Sequence, residues 1–220
     1  MDFRAAWSPE NIAFMLEGFK ITLYVAFVSI VLSFAFGTLI AVFRYARVPL
    51  IAPILGAVVE ALRNLPLLLI IIFARFALPD VGIKLDVVSA AIVGLTVFEM
   101  AMISEIVRGG LLSVDKGQIE AARASGLTYV QTLRYIILPQ ALVRMIPPTV
   151  SQFISLLKDT SLAVAISLPE LMHNSQIIYN ANPSKYVVPI LSFAAGLYFI
   201  TNFALSQASL FLERRLSVRH

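Results

Sequence analysis

Long apolar runs alternate with short polar segments along the chain. Residues 21–43 and 187–212 contain no charged side chain, and each exceeds the roughly 20 residues that a helix needs to cross a bilayer. Three further runs of similar length, 51–78, 87–107 and 146–166, carry a few charged residues each. The pattern predicts an all-α, polytopic membrane protein with five transmembrane helices in a single domain over the whole chain.

Two polar segments are predicted to form helices outside the bilayer core. Residues 8–20 are predicted to form a separate interfacial helix that Ser8 caps and that has Pro9 in its first turn. Residues 113–140 are charged and rich in alanine, so they are expected to fold in water between the third and fourth runs. We call residues 113–140 the elbow.

Basic residues predict the orientation of the chain, because short loops rich in lysine and arginine stay in the cytoplasm. The segments after the first, third and fifth runs hold ten of the 17 basic residues: Arg44, Arg47, Arg108, Lys116, Arg123, Arg134, Arg144, Arg214, Arg215 and Arg219. The elbow and the C-terminus are therefore expected in the cytoplasm and the N-terminus outside.

Composition narrows the class of protein further. Only 14% of the residues are charged, against about 25% in a typical soluble domain, and the mean hydropathy is +0.87. The chain has no cysteine and two histidines, so disulfides and metal sites are not expected. It also lacks the GxxxxGK[ST] loop of an ATPase and a carboxylate and His cluster, so it is not expected to be an enzyme or to hold a cofactor. Its basic residues cluster at the ends of apolar runs, so it is not expected to bind nucleic acid.

The elbow carries start and stop signals for two helices. Asp115 is a predicted N-cap, and Gly126 is a natural end in the left-handed conformation. Thr128 and Gln131 have the spacing of a capping box that starts the second helix. Pro139 is expected to end that helix. The sequence therefore predicts a helix–glycine–helix bend with small side chains.

One set of elbow residues resembles the EAA motif of ABC importer permeases at the motif's full spacing. The set comprises Glu120, Ala121, Ala122, Gly126, Ile136, Leu138 and Pro139. The segments "LEGFKITL", "EALRNLPLLL", "ISEIVRGG" and "LLKDTSLA" resemble the polar amino-acid branch of that family. The resemblance covers nearly the whole chain and implies a type I transmembrane domain whose elbow is a coupling helix.

The resemblance also implies the partners and the location. Two ABC ATPase subunits, which bind ATP and Mg²⁺, would dock on the elbow, and a second permease subunit would complete the path as a homodimer or heterodimer. An extracellular binding protein would deliver the amino acid. The chain would lie in the lipid of a bacterial cytoplasmic membrane.

Charged residues inside apolar runs are costly, so each indicates a cavity or a partner. Glu99 lies near the middle of the third run and has no helical partner three or four residues away. We expect it to face substrate or a polar cavity, with pairing to another helix as the alternative. Glu105 has the spacing of a helical ion pair with Arg108.

The fourth run has a polar face. Ser151, Gln152, Ser155, Lys158 and Asp159 fall within about 120° on a helical wheel, and such a stripe is not expected to face lipid. It either lines the translocation path or holds the helices together. On the path, Glu99 or Asp159 would bind the ammonium group of an amino acid, and Lys158, Ser155 or Ser161 would bind its carboxylate.

These features predict an ATP-driven, alternating-access permease for a polar amino acid, with glutamine or glutamate favoured. An ion-coupled secondary transporter would use Glu99, Lys158 and Asp159 as ion sites and would need no ATPase. A membrane docking or sensor subunit would use the elbow without transport. Binding to an ATPase would distinguish the ATP-driven permease from the secondary transporter, and vectorial uptake would distinguish it from the docking or sensor subunit.

Overall fold

The computed structural model describes the backbone of residues 1–217 and the side chains of residues 1–211. The described residues are helical and form no strand. The α-helices are, in chain order, α1 (Phe3–Ala6), α2 (Pro9–Tyr45), α3 (Ile51–Arg63), α4 (Leu67–Ile72), α5 (Val87–Leu112), α6 (Lys116–Ala124), α7 (Tyr129–Thr132), α8 (Leu138–Asp159), α9 (Leu171–Ala181) and α10 (Pro183–Ser217). Arg219 lies outside the described residues, and so do the side chains of Arg214 and Arg215.

The first long helix corrects one prediction. Ser8 caps α2 by accepting the Asn11 backbone N–H at 3.3 Å, and Pro9 occupies the first turn. However, α2 runs unbroken from Pro9 to Tyr45, so residues 8–20 are not a separate interfacial helix. Gly18 does not interrupt α2, because its bare face packs on the Glu170 carbonyl, where a Cβ would come within 2.8 Å.

The second predicted span, 51–78, is bent rather than straight. Its two parts, α3 and the helix that begins at Leu67, meet at an angle of 104° around residues 64–66. Pro66 has no N–H to continue α3 and disfavours a helical conformation at the preceding residue. A π-helical turn (Phe73–Ala77) and a 3-10 turn (Leu78–Val81) complete this segment.

The elbow differs from the prediction at its second helix. A π-helical turn at Leu133–Ile137 joins α7 directly to α8, so Pro139 lies in the first turn of α8 and does not end a helix. The wider π turn accommodates a residue that cannot donate a backbone hydrogen bond. The fourth predicted span, 146–166, is the second part of α8 followed by a 3-10 helix, Thr160–Ile166.

Three described helices, α2, α5 and α10, are each long and apolar enough to cross a bilayer. The bent α3–α4 segment makes a fourth candidate when it is counted as one span. The remaining predicted span lies in α8, which contains Arg144, Lys158 and Asp159. The all-α class is as predicted, and the count of five spans is approximate.

Close contact between α2 and α5 forms the centre of the molecule. A Cβ on Gly37 of α2 would lie 2.8 Å from the Met100 carbonyl oxygen and 2.8 Å from Ile103 of α5, so only glycine permits this approach. A second contact joins Gly94 of α5 to Ile71 of α4, where a Cβ would come within 2.9 Å of the Ile71 Cα. These two glycines bring α2 and α4 directly against α5, which carries Glu99.

Candidate functional site

Glu99 is completely buried on α5 and is only partly satisfied. Its Oε1 accepts a hydrogen bond from the Gln152 side-chain amide of α8 at 3.2 Å. Its Oε2 has no hydrogen-bond partner among the described residues. A buried carboxylate oxygen without a donor is rare in folded proteins and calls for an explanation. Glu99 can therefore accept a further hydrogen bond or a positive charge.

Asp159 lies on the same face of α8 as Gln152, seven residues and about two helical turns farther along. It is half-buried at the end of α8, next to Lys158 in the chain. Lys158 itself is exposed and forms no ion pair with any described residue. The structure thus joins Glu99 to Gln152, places Asp159 on the Gln152 face of α8 and leaves Lys158 exposed beside it.

The three serines predicted for the path differ in position. Ser155 is half-buried on α8, whereas Ser151 is exposed. Ser161 lies in the 3-10 helix after α8, where its hydroxyl donates to the Lys158 carbonyl at 2.8 Å. A donor already bonded to its own backbone is less available to a ligand. The Ser161 hydroxyl is therefore occupied, whereas Ser155 lies about one helical turn after Gln152 on the same side of α8.

A large apolar groove lies apart from these polar groups. It has a volume of about 470 Å³ between the bent α3–α4 segment and α5, and its lining includes Leu65, Leu69, Val93 and Val97. No charged residue contributes to this lining. The groove therefore lacks the polar groups that an amino-acid zwitterion needs. No group of three or more His, Cys, Asp or Glu side chains within the described residues could hold a metal ion.

The ion pair predicted for Glu105 is larger than the sequence indicated. Arg108 donates to Glu105 Oε2 at 2.7 Å, at the predicted spacing. Arg44 of α2 donates to Glu105 Oε1 at 2.5 Å and to the Ser104 hydroxyl at 3.3 Å. No sequence signal indicated Arg44, because it lies 61 residues from Glu105 along the chain. This cluster joins the end of α2 to α5.

The first half of the elbow has one packed side and one open side. Asp115 caps α6 by accepting the Gly117 and Gln118 backbone N–H groups. Ala122 is buried, while Glu120 and Ala121 are exposed. Gly126 and Pro139, farther along the elbow, are also exposed.

Gly126 has a φ of 87°, the left-handed conformation predicted for it, and open space surrounds it. Thr128 and Gln131 form the predicted capping box at the start of α7. In the second half of the elbow, Ile136 and Leu138 are half-buried and Pro139 is exposed. The bend therefore presents the small side chain of Ala121 and the open face of Gly126 to its surroundings.

Glu170 is a second buried carboxylate, which sequence reasoning missed. It caps α9 by accepting the Met172 and His173 backbone N–H groups at 2.8 and 2.7 Å. The hydroxyl groups of Thr22 (α2) and Tyr198 (α10) also donate to it, at 3.4 and 3.3 Å. Its position before a helix was a possible cap signal, but the hydroxyl donors lie 148 and 28 residues away.

Known proteins resemble this chain over most of its length. The model of a family described as binding-protein-dependent transport system inner membrane component matches residues 33–218. The probable glutamine ABC transporter permease protein GlnP of Bacillus subtilis is 59% identical over 220 residues, covering 100% of this chain and 99% of the relative. The glutamine transport system permease protein GlnP of Escherichia coli K12 is 34% identical over 219 residues, covering 99% and 98%.

Solved structures have the same fold. A crystal structure of an amino acid ABC transporter with histidines matches with a TM-score of 0.90 and 27% identity, covering 98% of this chain and 99% of that chain. The methionine ABC transporter MetNI in an inward-facing conformation matches with a TM-score of 0.78 and 27% identity, covering 95% and 99%. The predicted type I importer fold is confirmed. The chain belongs to the family of binding-protein-dependent transport system inner membrane components and is an ABC importer permease.

Proposed function

We propose that this permease carries a polar amino acid across a bacterial membrane, with glutamine as the first candidate. The observation that carries the proposal is Glu99, a fully buried carboxylate with an oxygen that no described residue satisfies. An ammonium group would supply both the missing donors and the missing positive charge. Glu99 lies on α5, one of the membrane-spanning candidates, so this site would be inside the bilayer.

The neighbouring groups suit the rest of a zwitterion. Asp159, on the same face of α8 as Gln152, would add a second negative charge, which favours an ammonium group further. Lys158 is free to meet the substrate carboxylate, with Ser155 beside it on the same face of α8. Ser151 and Ser161 lie on the translocation path in our proposal, but they do not contact the bound amino acid. Gln152 orients Glu99 without neutralising it.

Two considerations favour glutamine over other polar amino acids. The two relatives described above, at 59% and 34% identity, both have names that refer to glutamine. In addition, the charged groups placed near the site match the ammonium and carboxylate groups that all amino acids share. They leave no further acid for a cationic side chain, so a neutral side chain fits better than that of arginine or lysine.

ATP drives this transport through separate subunits in our proposal. Two ABC ATPases, which hold ATP and Mg²⁺, dock on the elbow through Glu120, Ala121, Ala122, Gly126, Ile136, Leu138 and Pro139. A second permease subunit completes the path, and an extracellular binding protein delivers the amino acid. The exposed bend at Gly126 supports this role, because a partner surface can approach its backbone closely. The N-terminus lies outside the cell and the elbow in the cytoplasm.

Uptake by a reconstituted complex tests the proposal. The permease, its ATPase and its binding protein are placed in proteoliposomes that contain ATP, and accumulation of labelled glutamine, glutamate and arginine is measured. We expect glutamine uptake that requires ATP and binding protein and that persists after an ionophore collapses ion gradients. Uptake that follows an ion gradient without ATP would instead indicate a secondary transporter, and no uptake of any polar amino acid would contradict the proposal.

A further inference from the structure

Two polar side chains of α8, one helical turn apart, contact the first half of the elbow. The Gln140 side-chain amide donates to the Gln118 side-chain oxygen of α6 at 2.6 Å and to the Ile136 carbonyl at 2.9 Å. Arg144 donates to the Ser113 hydroxyl at 3.1 Å and also to the Ser113 backbone carbonyl. Gln140 thus links α6, the π-helical turn and α8 through one nitrogen atom.

Among the described residues, α6 otherwise packs on the membrane helices through apolar side chains. Ala122 is buried, and Ile119 packs on a cluster that includes Leu111, Ile137 and Met145. Apolar contacts resist separation but have little directional preference, so they allow one surface to slide along the other. Hydrogen bonds depend steeply on angle and distance. Gln140 is therefore the contact that fixes the position of α6 along α8, and Arg144 holds Ser113, the C-cap of α5, against the same helix.

The location of Gln140 connects two distant parts of the molecule. It follows the π-helical turn Leu133–Ile137, and such turns inside helices are frequent at functional positions. From Gln140, α8 continues as one helix to Gln152, about 18 Å farther along its axis, although Pro147 and Pro148 each remove a backbone N–H donor on the way. Gln152 is the residue that holds Glu99. A displacement of α6 that reaches Gln140 can thus pass along α8 to the proposed substrate site.

We propose that Gln140 is a positioning residue that transmits movement of α6 to α8, with Gln118 as its partner on α6 and Arg144 as a second link. The inference rests on the proposed function, in which the elbow docks an ATPase. Without the Gln140 contact, α6 still follows the ATPase, but α8 follows α6 less closely. ATP hydrolysis then continues while less amino acid is imported for each ATP. A contact that only stabilised the fold would lower both activities together.

The test measures uptake and ATP hydrolysis in the same proteoliposomes that contain the full complex. Gln140→Leu keeps the approximate size of the side chain and removes its hydrogen bonds. We expect the amino acid imported per ATP to fall about fivefold, the ratio that the loss of one or two neutral hydrogen bonds produces. The rate of ATP hydrolysis stays near that of the wild type. Gln176→Leu, an exposed position on α9, serves as the matched control and should leave the ratio unchanged.

A pair of variants at Gln118 provides an independent answer if Gln140→Leu does not assemble, because Gln118 is exposed on α6. Gln118→Leu removes the acceptor and should lower the ratio, whereas Gln118→Glu keeps an acceptor and should restore it. Equal ratios in these two variants, or a wild-type ratio in Gln140→Leu, would overturn the inference. Absence of ATP-dependent uptake by the wild-type complex would instead contradict the proposed function.

Discussion

Glu99 and Glu170 are both completely buried carboxylates, but their surroundings differ. Glu170 accepts four hydrogen bonds, two from backbone N–H groups of α9 and one each from the hydroxyls of Thr22 and Tyr198. Glu99 accepts one, from the Gln152 amide, and its second oxygen has no partner among the described residues. The carboxylate of Glu170 therefore has hydrogen-bond donors for both of its oxygens, whereas that of Glu99 has a donor for only one among the described residues.

This difference separates a structural carboxylate from one that is available to a ligand. Burying a charged group costs free energy unless hydrogen bonds or opposite charges compensate for it. Glu170 receives that compensation from three elements, α2, α9 and α10, and so ties them together. Glu99 lacks it, so its compensation is expected to come from outside the chain. Burial alone would have given both residues the same role.

The largest expected effect belongs to Glu99→Gln and concerns transport. The variant keeps the shape of the side chain but removes the charge that would hold an ammonium group. Truncating one partner of a buried charge pair commonly costs 2–5 kcal/mol, so we expect the initial rate of uptake per complex to fall about 100-fold. The temperature of unfolding should stay the same, because the bundle loses no satisfied hydrogen bond.

The distinction drawn between Glu99 and Glu170 is wrong if the initial rate of uptake by Glu99→Gln is within twofold of that of the wild type. The purified complex must elute as one assembled species, which separates a transport defect from misassembly. Glu17→Gln, an exposed glutamate on α2, provides the control for loss of one carboxylate and should transport normally.

Glu170→Ala should produce the opposite result, a loss of stability. It leaves four buried donors without an acceptor and removes the cap of α9. Loss of a helix cap costs about 1 kcal/mol, and each buried donor left unsatisfied adds to this, so we expect the free energy of unfolding to fall by about 2 kcal/mol. Unfolding of the permease in detergent measures the change, with Glu17→Ala as the control. Equal stability of the two variants would show that the Glu170 contacts contribute nothing.

Local features of this fold could be predicted from the sequence, because they depend on residues near each other in the chain. Hydropathy located the long helices α2, α5 and α10. The capping box of Thr128 and Gln131 and the left-handed Gly126 also formed at their predicted positions. Such signals arise within a few residues, where the spacing of side chains and the local backbone conformation determine the structure.

Features that depend on helix packing were not predicted. Gln152 reaches Glu99 across 53 residues, and a helical wheel of either helix alone could not reveal this contact. Pro139 was expected to end a helix, but the preceding π-helical turn lets the helix continue. The bend at residues 64–66 was visible only as a proline, which does not specify an angle of 104°. A tertiary contact decided the first of these cases, and in the other two a proline alone does not specify the local geometry.

Tyr198→Phe gives the smallest expected effect and measures how much one hydrogen bond to Glu170 contributes to stability. It removes one of four donors to Glu170, at 3.3 Å, and leaves the ring in place. A single hydrogen bond of this kind contributes about 1 kcal/mol, so the free energy of unfolding should fall by roughly that amount and transport should be retained. Tyr186→Phe is the control, because the Tyr186 hydroxyl has no hydrogen bond to a described residue and its loss should be neutral.

If Tyr198→Phe lowers transport as strongly as Glu99→Gln while stability is unchanged, then Glu170 also belongs to the moving part of the permease. The number of donors around a buried carboxylate would then not separate the two roles.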